Sequence, residues 1–144
     1  MKIRELMTTD VRTCKTDDSL QQAAAIMADL DVGVVPVVHK ENHLQGIITD
    51  RDIVVRACAK GMDINTTVCS DCMTSAVVTV NPETDAHEAA DLMANQQIRR
   101  LCVVEDGRLV GIVALGDMAT IGIHENEAGF ALSEISEPAR PEMH

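Results

Sequence analysis

The chain has 144 residues, a formal net charge of -11, 46% hydrophobic residues and one aromatic, Phe130. The length suits one compact domain or two very small ones sharing a core. The acidic balance argues against non-specific binding to a phosphate backbone, and the lack of aromatic platforms argues against single-stranded nucleic acid.

The elements repeat. Met7 to Val38 lies over Met73 to Val104 at an offset of 66, with identical pairs at Met7/Met73, Thr13/Thr79, Ala23/Ala89, Ala24/Ala90, Met27/Met93 and Val37/Val103. The offset becomes 65 further on, where Leu44 to Ile53 lies over Leu109 to Met118 and Gly46/Gly111 and Asp52/Asp117 coincide. In chain order, each copy opens with a short strand, Val11 to Cys14 or Val77 to Val80. Polar turns follow at Thr16-Asp17-Asp18-Ser19 and Pro82-Glu83-Thr84-Asp85, where oxygen side chains can accept from the free N–H groups of a helix start. The first helix carries Leu20, Ala23, Ala24, Met27 and Leu30 at three- and four-residue steps, so these predict one buried stripe. Gly33 stands where a left-handed helix cap is expected. Two strands then form a hairpin. Asp106-Gly107 predicts a tight turn in the second copy, and a longer loop around Lys40-Glu41-Asn42 is expected in the first. A second helix begins near Asp50 or Gly116. The fold class read from this pattern is α/β: two β-α-β-β-α repeats packed sheet to sheet with pseudo-two-fold symmetry. Repeat 1 spans residues 1–61, repeat 2 spans 68–121, and 122–144 form a tail. In that tail Ala128, Ala131, Leu132 and Ile135 predict a short amphipathic helix, with disorder after Ser136.

Gly46-Ile47-Ile48-Thr49-Asp50-Arg51-Asp52, its partner Gly111-Ile112-Val113-Ala114-Leu115-Gly116-Asp117, and Val35-Pro36-Val37 resemble the signature of the CBS domain, named for cystathionine beta-synthase. The second copy departs from it at Ala114 and at Leu101-Cys102-Val103, which lacks the proline. The resemblance covers about residues 1–121 and extends to the small two-CBS proteins of bacteria that carry no attached enzyme. It implies a tandem pair (a Bateman module) with a cleft between the copies for AMP, ADP, ATP, S-adenosylmethionine or NAD-like molecules. Asp52 and Asp117 would hold ribose hydroxyls and Thr49 would contact phosphate. Backbone near the first strand and near Val35 would read the adenine edge, with Thr13 and Thr16 near one adenine and Thr79 and Pro82 near the other. It also implies a homodimer formed through helices. The chemistry agrees independently. A carboxylate accepts from two vicinal hydroxyls at once, a helix N-terminus receives phosphate, and Arg51, Arg99 and Arg100 are the charge partners for that phosphate. Because Ala114 removes a hydroxyl, the Thr49/Asp52 site is expected to be the stronger.

The resulting expectation is a regulatory sensor, not an enzyme, that requires no cofactor and signals in trans to an unknown protein partner. Two rivals stand beside it. One is a dimerisation module with empty sites. The other is a redox or metal sensor at Cys69 and Cys72, a CxxC spacing suited to zinc or thiol exchange. Against the latter, Cys69 aligns with Ile3 and Cys72 with Leu6, so both read as small buried hydrophobes. His39, His43, His87, His124 and His144 are scattered and form no nucleophile–base pair, so no catalytic and no metal residues are assigned. No apolar run approaches the roughly 20 residues that span a bilayer, and MKIRELMTTD has no secretory h-region. With an odd number of cysteines, five in all, a cytoplasmic chain with reduced thiols is expected.

Overall fold

The computed structural model describes residues 1–120, so the expected tail helix and disordered end lie outside the described residues. The chain forms two compact units. The first comprises Asp10–Val77 with Asp106–Leu109, and the second comprises Met1–Thr9, Val78–Glu105 and the chain from Val110. The α/β class is as expected, but the units are not the linear repeats. The segment leading into each repeat packs with the other one.

In the first unit, β1 (Cys14–Lys15) runs parallel to β2 (Val34–His39), and β2 pairs antiparallel with β3 (His43–Thr49). The connection is α1 (Leu20–Leu30). Ser19 starts α1 as the sequence predicts: its hydroxyl accepts from Gln22 N at 3.2 Å while Gln22 Oε1 accepts from Ser19 N at 2.7 Å. Leu20, Ala23 and Met27 are buried, but Leu30 is 46% exposed because the helix ends there. Asp31, at φ 54°, takes the left-handed cap position expected of Gly33. After β3 the chain enters α2 (Asp50–Asp52), which widens into a π turn over Ile53–Ala57. Next comes α3 (Cys69–Cys72). The core of this unit joins Cys14, Leu20, Val35, Val37, Ile48 and Cys69.

The second unit repeats the plan with β4 (Thr79–Val80), α4 (Ala86–Gln96), β5 (Arg100–Glu105), β6 (Arg108–Ala114) and α5 (Leu115–Thr120). Here β4 is parallel to β5, with Thr79 opposite Cys102. Asp85 starts α4, accepting from His87 N at 3.0 Å. Asp106 and Gly107 both have positive φ, as the two-residue turn requires. Ile3 and Leu6, on a single turn near the N-terminus, are buried with Met93, Leu101, Val103 and Met118. Backbone bonds from Ile3 N to Thr84 O and from Arg4 N to Pro82 O, both 2.9 Å, fix that turn in place.

Each first strand is shorter than predicted. Val11 and Val77 precede β1 and β4, because only two residues of each find partners on the neighbouring strand.

Candidate functional site

Thr49 and Asp52 sit where β3 turns into α2 and form a reciprocal cap. Thr49 Oγ1 accepts from Asp52 N at 3.0 Å, and Asp52 Oδ2 accepts from Thr49 N at 3.0 Å. Asp52 is only 8% exposed. Its carboxylate also receives the Thr74 hydroxyl at 3.4–3.5 Å and faces Arg56 Nε at 3.6 Å. In the second unit Asp117 Oδ2 accepts from Ala114 N at 3.1 Å. Both motif aspartates therefore bind the backbone N–H three residues upstream. Ala114 supplies no return bond, and Asp117 is half-buried.

Strand register decides which other predicted residues join them. Val35 lies opposite Ile48, one step from the Val34–Thr49 pair, so Val35, Thr49 and Asp52 share one end of the sheet. Thr13 precedes Cys14, which pairs with Val37, and so sits level with Pro36. Thr16 is at the other end. Its N–H donates to Val38 O and its hydroxyl lies 3.4 Å from His39 Nδ1. The five steps along the strand from Val34 to His39 separate it from Thr49 by about 16 Å. Arg99 meets α5 through Leu115 N to Arg99 O at 2.8 Å, beside the Asp117 turn. Thr79, opposite Cys102, lies further along the sheet. Pro82 is buried and its carbonyl is occupied by Arg4 N. Arg51, Arg99 and Arg100 are exposed, with no ion pair among the described residues.

Sequence reasoning missed Thr74 and Arg56. Thr74 aligns with Thr8, which reads only as part of a lead-in segment. Arg56 follows Asp52 by four residues on the exposed side of a helix, the ordinary place for an arginine. Two surface hollows of about 610 Å³ each lie elsewhere, one lined by Thr13, Thr16, His39 and Lys40, the other by Thr79, Asn81, Glu88 and Asp91. They leave out both motif aspartates.

The CxxC cysteines are core residues: Cys69 is 0% and Cys72 1% exposed. A hydrogen bond with Cys14, then burial, raises the Cys69 thiol well above its ordinary range, and burial raises that of Cys72. Such thiols are poor nucleophiles. Among the described residues no group of three or more His, Cys, Asp or Glu is placed to hold a metal ion. No helix among them is long and apolar enough to cross a membrane.

Cys102, on β5, is pushed up to about 11 from 9.0 by burial. A thiol whose folded pKa is raised stabilises the fold fully below the unfolded pKa. The unfolded chain releases the proton first, so stability falls as pH rises from about 9 to about 11. Two pKa units correspond to about 3 kcal/mol. Urea unfolding from pH 8 to 11 should show this decline, and Cys102→Ala should make it shallower, the raised thiols of Cys69 and Cys72 supplying the remainder. An equally steep decline in the variant would assign the effect to other groups.

The chain matches the CBS domain family over residues 3–57 and 69–122. It is 43% identical over 134 residues to the CBS domain-containing protein YhcV of Bacillus subtilis, covering 93% of this chain and 94% of that one. Its structure is similar to that of CBSX2 in complex with AMP (TM-score 0.73, 25% identity, 84% of this chain and 95% of that one). It is also similar to the CBS domain pair of MJ0100 in complex with 5'-methylthioadenosine and S-adenosyl-L-methionine (TM-score 0.70, 27% identity, 85% and 95%). Two motif aspartates in matched caps, two copies of one β-α-β-β-α plan and these similarities together establish that the chain belongs to the CBS domain family, as a tandem pair.

Proposed function

We propose that this chain is a regulatory sensor that binds an adenosyl ligand (AMP, ADP, ATP or S-adenosylmethionine) with Asp52 and Asp117 as ribose acceptors. It acts by binding, not by catalysis, and passes its state to a protein partner in trans. The observation that carries the reading is the matched setting of the two carboxylates. Each has one oxygen fixed by the backbone N–H three residues upstream. A carboxylate so oriented retains acceptor capacity for a vicinal diol. The adenosyl complexes of CBSX2 and MJ0100 support the ligand class. Val35 lies beside Thr49, the right place for backbone contact to a base. Arg51 would serve phosphate at the first site and Arg99 or Arg100 at the second. Adjacent residues on an extended chain point to opposite faces, so only one of that last pair serves a given ligand. Val54 and Val55, both exposed on the turn after Asp52, support a homodimer.

The test is thermal unfolding of the wild type and Asp52→Ala against AMP, ADP, ATP, S-adenosylmethionine and NADH. A ligand at about 100 times its dissociation constant stabilises by roughly 2.7 kcal/mol, several degrees in Tm. The expected result is a shift with one ligand that is reduced or lost in Asp52→Ala. No shift with any of the five would favour a dimerisation module with empty sites.

A further inference from the structure

Asp52 faces more donors than its cap requires. The backbone N–H of Thr49 is the short bond, at 3.0 Å. The Thr74 hydroxyl at 3.4–3.5 Å and Arg56 Nε at 3.6 Å are longer and weaker. Both belong to an arrangement that reaches away from the cap. Arg56 Nη1 donates to the carbonyls of Cys72 at 3.4 Å and Met73 at 3.3 Å, at the C-terminal end of α3. Thr74 then makes a two-bond bridge with Ile47: Ile47 N to Thr74 O at 2.9 Å, and Thr74 N to Ile47 O at 2.8 Å. One guanidinium thus spans the motif aspartate and the backbone of the segment leading into the second repeat. It projects from the π turn over Ile53–Ala57, a rare helix form frequently found at functional sites.

We propose that Arg56 is a positioning residue that couples occupancy of Asp52 to the order of the Cys72–Thr74 segment. The proposal rests on the reading of Asp52 as a ribose acceptor. An ionised carboxylate has about four lone-pair sites. A ribose diol that donates twice takes the sites facing Thr74 and Arg56, because those contacts are weakest, and leaves the Thr49 bond intact. The guanidinium then loses its anchor at Asp52, the Thr74 hydroxyl loses its acceptor, and the Ile47–Thr74 bridge loosens. Binding thereby becomes a change in the chain connecting the two repeats. By linkage, the segment acts back on affinity by the same factor. In the aligned sequence of the second copy, Ile121 takes the place of Arg56 and carries no guanidinium.

Hydrogen exchange at the Thr74 and Ile47 amides tests this in the full chain, with AMP and S-adenosylmethionine as probes. Without ligand, Arg56→Ala should raise exchange at both amides on the order of tenfold, a usual size for coupling, with Arg56→Lys intermediate. In the wild type, a probe that raises Tm should raise exchange at the same two amides, and Arg56→Ala should show no further rise. A structural role alone would not give exchange that increases while the protein becomes more stable. Two results would overturn the proposal: equal ligand-free exchange in wild type and Arg56→Ala, or a probe that stabilises the wild type while leaving Thr74 exchange unchanged or lower. If neither probe shifts Tm, and ADP, ATP and NADH do not either, the nucleotide reading fails instead, and the ligand-free arm alone decides whether Arg56 holds the segment.

Discussion

Replacing Ile3 with alanine should destabilise the protein by about 2–5 kcal/mol, the usual range for truncating a fully buried aliphatic side chain. Ile3 lies within three residues of the N-terminus, where substitutions are ordinarily tolerated. Here it is 0% exposed and packed in the core with Met93, Leu101 and Met118. Its N–H is tied to Thr84 O, and neighbouring Lys2 and Arg4 both pair with Glu83. The turn therefore cannot slide to fill the space left by the missing atoms, and the cavity cost is added to the transfer cost. Cys69 offers a matched comparison, because it occupies the aligned position in the other core. Cys69→Ala removes one sulfur atom, and a smaller loss of about 1 kcal/mol is expected. Urea unfolding of the two variants separates the cases. If Ile3→Ala cost less than about 1 kcal/mol, the lead-in segment would not be part of this core.

That segment also marks where the sequence stops being informative. The repeat, both helix caps, the Asp106-Gly107 turn and the burial of Cys69 and Cys72 follow from local chemistry, which a short stretch of residues expresses completely. An apolar pair three residues apart, Ile3/Leu6 or Cys69/Cys72, states that a turn is buried but not which core receives it. Both cores offer equivalent apolar faces, and the choice is made by chain connectivity. Of the candidate site, Asp52, Thr49 and Val35 were legible because one motif and one strand pairing bring them together. Thr16 and Pro82 were drawn to the site by resemblance alone. The register carries Thr16 to the far end of β2, and backbone bonding places Pro82 under the N-terminal turn. Thr74 and Arg56 were not legible because their role depends on a crossing between segments remote in sequence. Leu30 and Gly33 were misread for a simpler reason: Leu30 is the last residue of α1, where the helix no longer covers it, and Asp31 takes the left-handed position two residues before Gly33.

Gly46→Ala should be among the most damaging single-methyl additions in the chain, costing about 2–3 kcal/mol, toward the upper end of overpacking effects. The reason is space, since Gly46 does not have the positive φ that would call for glycine on conformational grounds. A Cβ there would stand 2.5 Å from the Thr74 carbonyl oxygen and 3.0 Å from Met73 Sδ. The sulfur can swing aside, but the carbonyl cannot, because it is held by Ile47 N, the next residue on the same strand. Relief requires breaking the Ile47–Thr74 bridge or bending β3. Reduced freedom of the unfolded chain would return about 0.4–1 kcal/mol, too little to reverse the sign. Gly111→Ala repeats the test in the second unit with a milder clash, 2.9 Å to both Thr8 O and the flexible Met7 Sδ. It should cost less. The glycine that opens each motif is thus the residue that lets a lead-in segment cross the strand, while the aspartate that closes the motif accepts from the backbone N–H three residues upstream. Gly46→Ala should therefore raise exchange at Thr74 as Arg56→Ala does. Thermal unfolding of both glycine variants checks the ranking. Wild-type stability in Gly46→Ala would mean that Thr74 does not cross β3 at this glycine, and the tie from Asp52 to the connecting segment would then lose its footing.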